Sequence, residues 1–289
     1  MRIGNAAQDQ LQLDVFGEVM DTLHQARENR IATVEASWQF QRHVVDHLAT
    51  IWRRPDQGLW EVRSGPRHFT HSKIMAWVAF DRGIRAIESF NLDGPLDKWR
   101  RIREEIHADV CAHGFDPALG SFVRSYGASD LDASLLLIPT MGFLPPEDPR
   151  VRGTIAAIER NLLRDGFVLR YDPATAGDGL PGGEGAFLAC SFWLADAYAL
   201  MNRLEDAQRL FERLVGLCND VGLLAEEYDP ARGRQVGNFP QAFSHVALVN
   251  TAHNLTRATK PAEQRAGVDG DPASVHTSKL RPRRGHTTS

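Results

Sequence analysis

The chain has 289 residues, of which 43% are hydrophobic and 24% are charged, and its formal net charge is -4. This composition is typical of a folded globular protein and argues against nucleic acid or an anionic membrane as a partner. No apolar run is long enough to span a membrane, and the first ten residues lack the apolar core of a signal peptide. We therefore expect a cytoplasmic protein.

Apolar residues recur at helical spacing along most of the chain, as in the stripe from Leu11 to Leu23. This periodicity predicts about nine helices in an all-α domain. Asp148-Pro149 is a favourable helix start, and Gly142 occurs where a helix should stop. The predicted helices lie near 8–27, 33–53, 72–91, 94–113, 130–140, 148–164, 186–201, 203–218 and 240–257.

Three long segments separate these helices, at 54–71, 167–185 and 219–239. Two short predicted strands, 121–126 and 167–171, border them. Long connections in a compact domain are usually functional or disordered, and these contain tryptophan, glutamate, arginine and tyrosine. We therefore expect the functional site to be built from these segments. No repeat of fixed period occurs, which argues against a helical solenoid.

The end of the sequence differs from the rest in composition. Residues 259–289 contain almost no large apolar side chains, which predicts a disordered tail after a single helical domain at 1–258. A basic cluster in the tail, KLRPRR, is interpreted as solvated, with an acidic ligand as the alternative. The three cysteines are widely spaced and the histidines show no metal-ligand spacing, so we expect buried thiols in a reducing compartment and neither metal nor cofactor.

The segment DQGLWEVRSGPRHFTHSK, residues 56–73, surrounds one carboxylate, Glu61, with hydrogen-bonding and turn-forming residues. A glycosidase needs two carboxyl groups, and one of them must stay protonated near neutral pH. The neighbouring Trp60 would supply an apolar wall, and its face suits a sugar ring. The residues alone leave open the alternative of a loop glutamate paired with Arg63 or Arg67.

Two further candidates lie in the other long segments. Glu226 and Glu227 precede a turn signal, YDP, and a carboxylate at the entry to a loop can point into a cavity. An ordinary solvated acidic pair is the alternative. Arg170, in FVLRYDP, carries a fixed fork of donors that can bind sugar hydroxyls. Its alternative is a surface ion pair with Asp172.

At these three places the chain resembles glycoside hydrolase family 15, the glucoamylases and bacterial trehalases. The resemblance covers roughly residues 2–255 and implies an (α/α)6 barrel that hydrolyses α-glucosidic bonds by an inverting, exo-acting mechanism. The implied substrate is an α-glucan end, a malto-oligosaccharide or trehalose. The matching stretches are GLWEVRSGPRHFTHSKIMAWVAFDR, VLRYDPATAGDGLPGGEGAFLACSFWLADAYAL and LLAEEYDPARGRQVGNFPQAFSHVALVNTA, with IGNAAQDQLQLDVFGEVMDTLH similar to the segment that precedes them.

The resemblance also implies roles for four residues. Glu61, after the tryptophan, would be the general acid, and Glu226, the first glutamate of the (A/S)-E-x-Y-D pattern, the general base. Trp60 and Arg170 would bind the innermost sugar. An inverting mechanism predicts that the two carboxyl groups lie about 6.5–9.5 Å apart. Val62 stands where fungal glucoamylases have a second acidic residue, so fungal substrate preferences do not transfer.

The sequence departs from the family pattern on its N-terminal side. An (α/α)6 barrel has twelve helices, whereas about nine are predicted here, and the Arg-Asp segment and β-sandwich of bacterial members are not found in this sequence. A barrel incomplete at its N-terminus would expose an apolar patch of several hundred Å2. The alternative to a hydrolase is therefore a non-catalytic fragment, or a subunit of a split glycosidase whose partner supplies the N-terminal portion. A helical protein-binding scaffold is a third hypothesis, and it predicts no sugar binding.

Overall fold

The structure, a computed structural model, describes residues 6–31, 35–172 and 185–256. Nine α-helices occur in these ranges, in agreement with the number that the apolar periodicity predicts. The predicted tail at 259–289 lies outside the described residues. The helices are α1 (Asp14–Glu28), α2 (Glu35–Ile51), α3 (Thr70–Phe90), α4 (Leu96–His113), α5 (Leu137–Thr140), α6 (Pro149–Asn161), α7 (Leu188–Leu200), α8 (Leu204–Val215) and α9 (Ala242–Leu255).

Short antiparallel strands in the described ranges connect the helices. The predicted strands at 121–126 and 167–171 are found, but each is two residues long. A three-stranded sheet of order β5-β6-β7 joins the entry of α7 to the segment that precedes α9. The strands are β1 (Phe115–Asp116), β2 (Ser121–Phe122), β3 (Leu163–Arg164), β4 (Phe167–Val168), β5 (Ala186–Phe187), β6 (Glu227–Asp229) and β7 (Arg234–Val236), with β1 paired to β2 and β3 to β4.

The helices form two layers, in which the odd-numbered helices are the inner ones. Helix α1 packs on α3, α5 on α7, and α7 on α9, and the 3-10 helix Ala133–Leu136 contacts both α3 and α7. Helix α7 is apolar on nearly all sides and almost entirely buried, as expected for a helix with neighbours all round. Most of α3 is buried as well, including the charged residues Lys73, Asp81 and Arg82. Helices α2, α4, α6 and α8 cover this layer from outside.

The contact between α1 and α3 depends on a glycine and a buried ion pair. A Cβ atom at Gly17 would lie 2.3 Å from the carbonyl oxygen of Met75, so only glycine permits this approach. Arg82 of α3 is buried, and its Nε donates to Asp21 of α1 over 2.8 Å. Its Nη2 donates to the carbonyl oxygen of Met141, after α5. Because a buried guanidinium needs such partners, these bonds fix three inner segments together.

Two predicted helices begin later than expected. The helix expected at 8–27 begins at Asp14, because residues 10–13 hydrogen-bond to the segment at 56–62 instead of forming a helical turn. The helix expected at 130–140 begins at residue 133 as a 3-10 helix, because the Asp132 side chain accepts a hydrogen bond from the Ser134 N–H and fixes the start. Apolar periodicity alone predicts neither the long-range contacts of residues 10–13 nor the capping contact of Asp132.

Candidate active site

The candidate residues all lie in segments that lead into inner helices. Trp60 and Glu61 lie between α2 and α3, Arg170 lies after β4 on the way to α7, and Glu226 lies between α8 and α9. The part of the site that the structure describes is therefore made by segments that enter α1, α3, α5, α7 and α9, and the contacts below bring several of them together.

Glu61 lies in a tight turn with a strained backbone. Its φ is 53°, a left-handed conformation that few residues other than glycine adopt. Its N–H donates to the Gly58 carbonyl oxygen over 3.1 Å, and the Val62 N–H donates to that of Gln57 over 3.2 Å. The Glu61 side chain is exposed. Such strain persists only where surrounding contacts impose it, and it is common at functional sites.

Those surrounding contacts come from residues 10–13, immediately before α1. The Leu11 N–H donates to the Gln57 side chain over 2.9 Å, and the Gln57 N–H donates back to the Leu11 carbonyl oxygen over 3.0 Å. The side chain of Gln10 donates to the carbonyl oxygens of Glu61 and Val62, each over 3.4 Å. Residues 10–13 therefore hold the Glu61 turn in place.

Asp14 is a buried carboxyl group beside the same turn. Its pKa is raised to about 6, chiefly by burial and next by the carboxylate of Asp56, with a smaller contribution from Glu61. Hydrogen bonds from its own N–H and that of Val15 lower the pKa and offset part of this effect. Three carboxyl groups therefore interact electrostatically around the candidate acid.

Trp60 is fixed by its indole N–H and by ring contacts. The Nε1 atom donates to both carboxylate oxygens of Asp132, over 3.0 and 2.9 Å. The ring meets Phe187 edge-on with 5.5 Å between centroids and lies 6.0 Å from the ring of Trp193. Trp60 is half-buried. The predicted apolar wall is thus part of an aromatic cluster at the ends of inner helices.

Arg170 lies against the same cluster. Its guanidinium carbon is 5.4 Å from the Trp60 ring centroid, 5.7 Å from that of Phe187 and 5.3 Å from that of Tyr171. These are cation–π distances, and they place the predicted sugar-binding arginine beside the predicted sugar-binding tryptophan.

Glu226 stands at the entry to β6 and is half-buried. Its Oε2 accepts two hydrogen bonds from Asn238, and its carbonyl oxygen accepts one from the Leu188 N–H over 3.1 Å. The neighbouring Glu227 pairs with Phe187 in the β5–β6 ladder. Because Phe187 also contacts Trp60, the Glu226 segment is linked to the Glu61 turn through one aromatic side chain.

A small cavity of about 10 Å3 lies behind the Trp60 turn, at the lower limit of what can admit one water molecule. Trp60, His71, Arg124 and Asp132 are among its lining residues. His71 is buried, and within the described part of the chain neither ring nitrogen has a hydrogen-bond partner. Burial lowers the pKa of His71 to about 4, so the ring is neutral near pH 7.

Other expectations concern metals, membranes and thiols. In the described ranges there is no group of three or more metal-ligating side chains, and no helix there is long and apolar enough to cross a membrane. All three cysteines are free; Cys190 is buried, whereas Cys111 and Cys218 are partly exposed. The expectation of buried thiols therefore holds for one of the three.

Sequence reasoning missed four residues of this region: Arg124, Asp132, Phe187 and Asn238. Asp132 carried a signal, because Asp near the start of a predicted helix is a preferred N-cap residue, and its side chain accepts from the Ser134 backbone N–H. The other three act through contacts with residues distant in sequence, which no local pattern contains.

Known proteins resemble the chain over nearly its whole length. The family model described as Glycosyl hydrolases family 15 matches residues 1–253. The trehalase of Mycobacterium tuberculosis (strain ATCC 25618 / H37Rv) is 44% identical over 263 residues, which are 91% of this chain and 38% of that protein. The trehalase of Thermoplasma acidophilum is 39% identical over 258 residues, with 89% and 44% covered. The chain thus spans about two fifths of the length of these curated relatives.

Solved structures agree in fold at low sequence identity. A wild-type glycosidase superposes with a TM-score of 0.73 at 21% identity, over 92% of this chain and 70% of that one. A bacterial glucoamylase in complex with acarbose gives a TM-score of 0.67 at 14% identity, over 85% and 41%. The predicted fold class, an all-α (α/α)6 barrel of which this sequence contains a part, is confirmed. The chain belongs to glycoside hydrolase family 15.

Proposed function

We propose that this chain carries the acid and base carboxyl groups of an inverting, exo-acting hydrolase of α-glucosidic bonds, with Glu61 as general acid and Glu226 as general base. The observation that supports the proposal best is the Phe187 link, which joins the Trp60–Glu61 turn to the segment of Glu226. The segments of Trp60, Phe187 and Glu226 are far apart in sequence and yet in contact, which supports a single site that contains both proposed carboxyl groups.

The proposed reaction assigns one step to each group. Glu61 donates a proton to the glycosidic oxygen, while Glu226 removes a proton from a water molecule that attacks the anomeric carbon from the opposite face. Trp60 offers its ring to the sugar, and Arg170 donates to its hydroxyl groups. The Asn238 donors hold the Glu226 carboxylate in one orientation during proton removal. A separation of about 6.5–9.5 Å between the carboxyl groups remains a prediction of this mechanism.

Trehalose is the proposed substrate. Relatives named trehalase are 44% and 39% identical to this chain, whereas the glucoamylase structure at 14% identity supports the fold alone. The α-glucan end and the malto-oligosaccharide are the competing substrates, and they share the α-glucosidic bond.

The test is glucose release from trehalose, maltose and soluble starch by the purified protein and three variants. We expect Glu61→Gln and Glu226→Gln each to lower kcat by about 10²–10⁴-fold, since each removes a proton-transfer group. Glu147→Gln changes an exposed glutamate between α5 and α6 and should leave kcat unchanged. NMR of the first product should show the β-anomer from the attacked glucose. Near-normal turnover in Glu61→Gln would contradict the assignment of Glu61 as the acid. Release of the attacked glucose as the α-anomer by the parent protein would contradict inversion.

A second candidate is a subunit of a split glycosidase, and an open groove favours it. The groove has a volume of about 500 Å3 and is lined by α1, α5, α7 and α9, of which α1 and α9 are the first and last inner helices described. Helix α9 is apolar on most sides, yet Val246 and Val249 are 55% and 54% exposed. Helices apolar all round are usually buried, so a further helix is expected in this groove.

The two candidates differ in what covers that groove. The intact mass of the protein from its source and its behaviour on purification distinguish them. A mass near 32.2 kDa with a copurifying helical chain, lost in Val246→Glu, supports the split enzyme. Monomeric, well-folded behaviour of the chain alone contradicts it. A mass roughly twice as large places the covering helix in the same polypeptide, and the hydrolase test then applies to that polypeptide.

A further inference from the structure

We propose that Asp132 and Arg124 are positioning residues that set the orientation of Trp60 and Arg170. This inference rests on the proposed function, because it assigns a purpose to the two side chains that bind the sugar there. It concerns residues that the family resemblance did not point to, and it stands on hydrogen bonds, ion pairs and ring contacts.

Asp132 is the centre of the arrangement. It is 3% exposed, and both of its carboxylate oxygens accept from the Trp60 indole N–H. Its Oδ1 also accepts from the N–H and the hydroxyl group of Ser134, over 2.8 and 2.7 Å. One indole N–H shared between two oxygens of a buried carboxylate fixes the direction of the N–H bond, and the ring contacts with Phe187 and Trp193 limit rotation about it.

Arg124 supports the same carboxylate from the other side. It is 2% exposed, and its Nε lies 3.6 Å from Asp132 Oδ2. Its Nη1 donates to Asp130 over 3.3 Å. The buried guanidinium of Arg124 therefore lies beside the carboxylate of Asp132. Without a nearby positive charge, burial of that carboxylate would carry a large desolvation cost.

The contacts close into a ring of five side chains. The guanidinium carbon of Arg124 lies 4.3 Å from the centroid of the Tyr171 ring. The guanidinium carbon of Arg170 lies 5.3 Å from the same centroid, and Arg170 also contacts Trp60. The order is Trp60, Asp132, Arg124, Tyr171, Arg170 and back to Trp60.

This ring spans three entry segments, those leading into α3, α5 and α7. Well-packed apolar residues generally stabilise a core at least as well as a buried ion pair, so stability alone does not explain this one. A connected polar network does specify relative orientation, because each member loses its partner if one segment moves. The position of Trp60 and that of Arg170 are thereby coupled through Asp132 and Arg124.

The first test reads the tryptophan directly. The chain has six tryptophans, so the 15N-labelled protein gives six indole N–H signals, and Trp60→Phe identifies that of Trp60. We expect Asp132→Asn to shift the Trp60 signal and speed its exchange with solvent. The matched control is Asp46→Asn, because Asp46 accepts from the Trp99 indole N–H over 3.2 Å and should affect that signal only. An unchanged Trp60 signal in Asp132→Asn overturns the proposal.

The second test reads the consequence for substrate. We expect Asp132→Asn to raise KM for trehalose about tenfold with a smaller change in kcat, and Asp132→Glu to restore part of the loss. The double variant of Trp60→Phe and Asp132→Asn should bind no more weakly than the worse single variant, because both act through one side chain. Additive losses, or an unchanged KM with only a lower Tm, would indicate a structural role and overturn the proposal. Absence of both hydrolysis and binding in the protein at its native mass, with any copurifying chain, overturns the proposed function, while the indole signals still decide the positioning of Trp60.

Discussion

Asn238 holds the carboxylate of Glu226 by two hydrogen bonds to a single oxygen. Its side-chain Nδ2 lies 2.9 Å from Glu226 Oε2, and its backbone nitrogen lies 3.1 Å from the same atom. The Glu226 N–H donates in return to the Asn238 carbonyl oxygen over 2.9 Å. The two bonds to Oε2 restrain the carboxylate, and the backbone bond keeps the two segments together, so the loop sets the direction of Oε1.

Asn238→Ala is therefore expected to lower kcat about tenfold with little change in KM. The substitution removes one of the two donors to Oε2, and a carboxylate that rotates freely spends less time aligned with the attacking water. Asn238→Asp keeps the backbone donor but places a second carboxylate beside Glu226, and we expect a larger loss. Steady-state kinetics with trehalose measure both variants. Equal kcat in the parent and in Asn238→Ala would show that the orientation of Glu226 does not depend on this side chain.

Gly237, next to Asn238, is constrained by the same glutamate. Its φ is 81°, and an added Cβ would lie 3.0 Å from both the Cβ and the Oε2 of Glu226. Gly222 has a similar φ of 79°, but its Cβ would meet nothing within 4 Å. Alanine costs backbone strain at both positions, about 1 kcal/mol or more each. Only Gly237→Ala should also displace Glu226 and lower kcat, and equal kcat in the two variants would refute this.

The helices were predictable because the residues on the buried face of a helix are apolar and recur at helical spacing in the sequence. The inner helix predicted at 72–91 is observed at Thr70–Phe90, since its apolar residues recur at helical spacing. The long segments were predicted to form the site, because a tryptophan and a glutamate in a long loop have no ordinary role in a core. The structure brings Arg170 of one segment beside Trp60 of another, while their role as an active site stays a prediction.

The contacts within those segments were not predictable. Trp60 and Asp132 are 72 positions apart, and their hydrogen bond exists only because the 3-10 helix that Asp132 caps packs on α3. Glu61 has a left-handed φ, a conformation that local propensity disfavours for a glutamate. Contacts with Gln10 and Gln57 impose it. Pairings of this kind depend on tertiary structure, and a single sequence contains no period or motif for them.

Asp14→Asn is expected to raise the Tm at about pH 7.5 and to change it little at about pH 4.5. The folded-state pKa of Asp14 is about 6, above the ordinary value of 3.8, so the folded protein binds this proton more tightly than the unfolded chain. Stability from this group therefore falls as pH rises from about 4 to about 6, by roughly 3 kcal/mol in total. Asparagine removes the buried charge and keeps an acceptor for the two backbone N–H groups.

The control for Asp14 is Asp97→Asn. Asp97 lies in the first turn of α4, as Asp14 does in α1, but its side chain is 99% exposed. Thermal unfolding of both variants across pH should show a pH-dependent gain for Asp14→Asn alone. A gain of the same size at both pH values would mean that Asp14 is not charged in the folded protein at about pH 7.5.

His71 is expected to make the protein less stable as pH falls, the opposite of the effect of Asp14. Burial lowers its pKa to about 4, below the ordinary value of 6.5, so the unfolded chain binds the proton more readily. The stability associated with the neutral ring is present above about pH 6.5 and is lost as pH falls toward 4, at most about 3 kcal/mol. His71→Gln should therefore flatten the decline of Tm with acid, although His24, whose pKa is also about 4, retains part of it. His113→Gln alters an exposed ring and should leave the decline as it is. Parallel curves of Tm against pH for the parent and His71→Gln would mean that the ring takes up its proton without unfolding, through a solvated route into the small cavity behind Trp60.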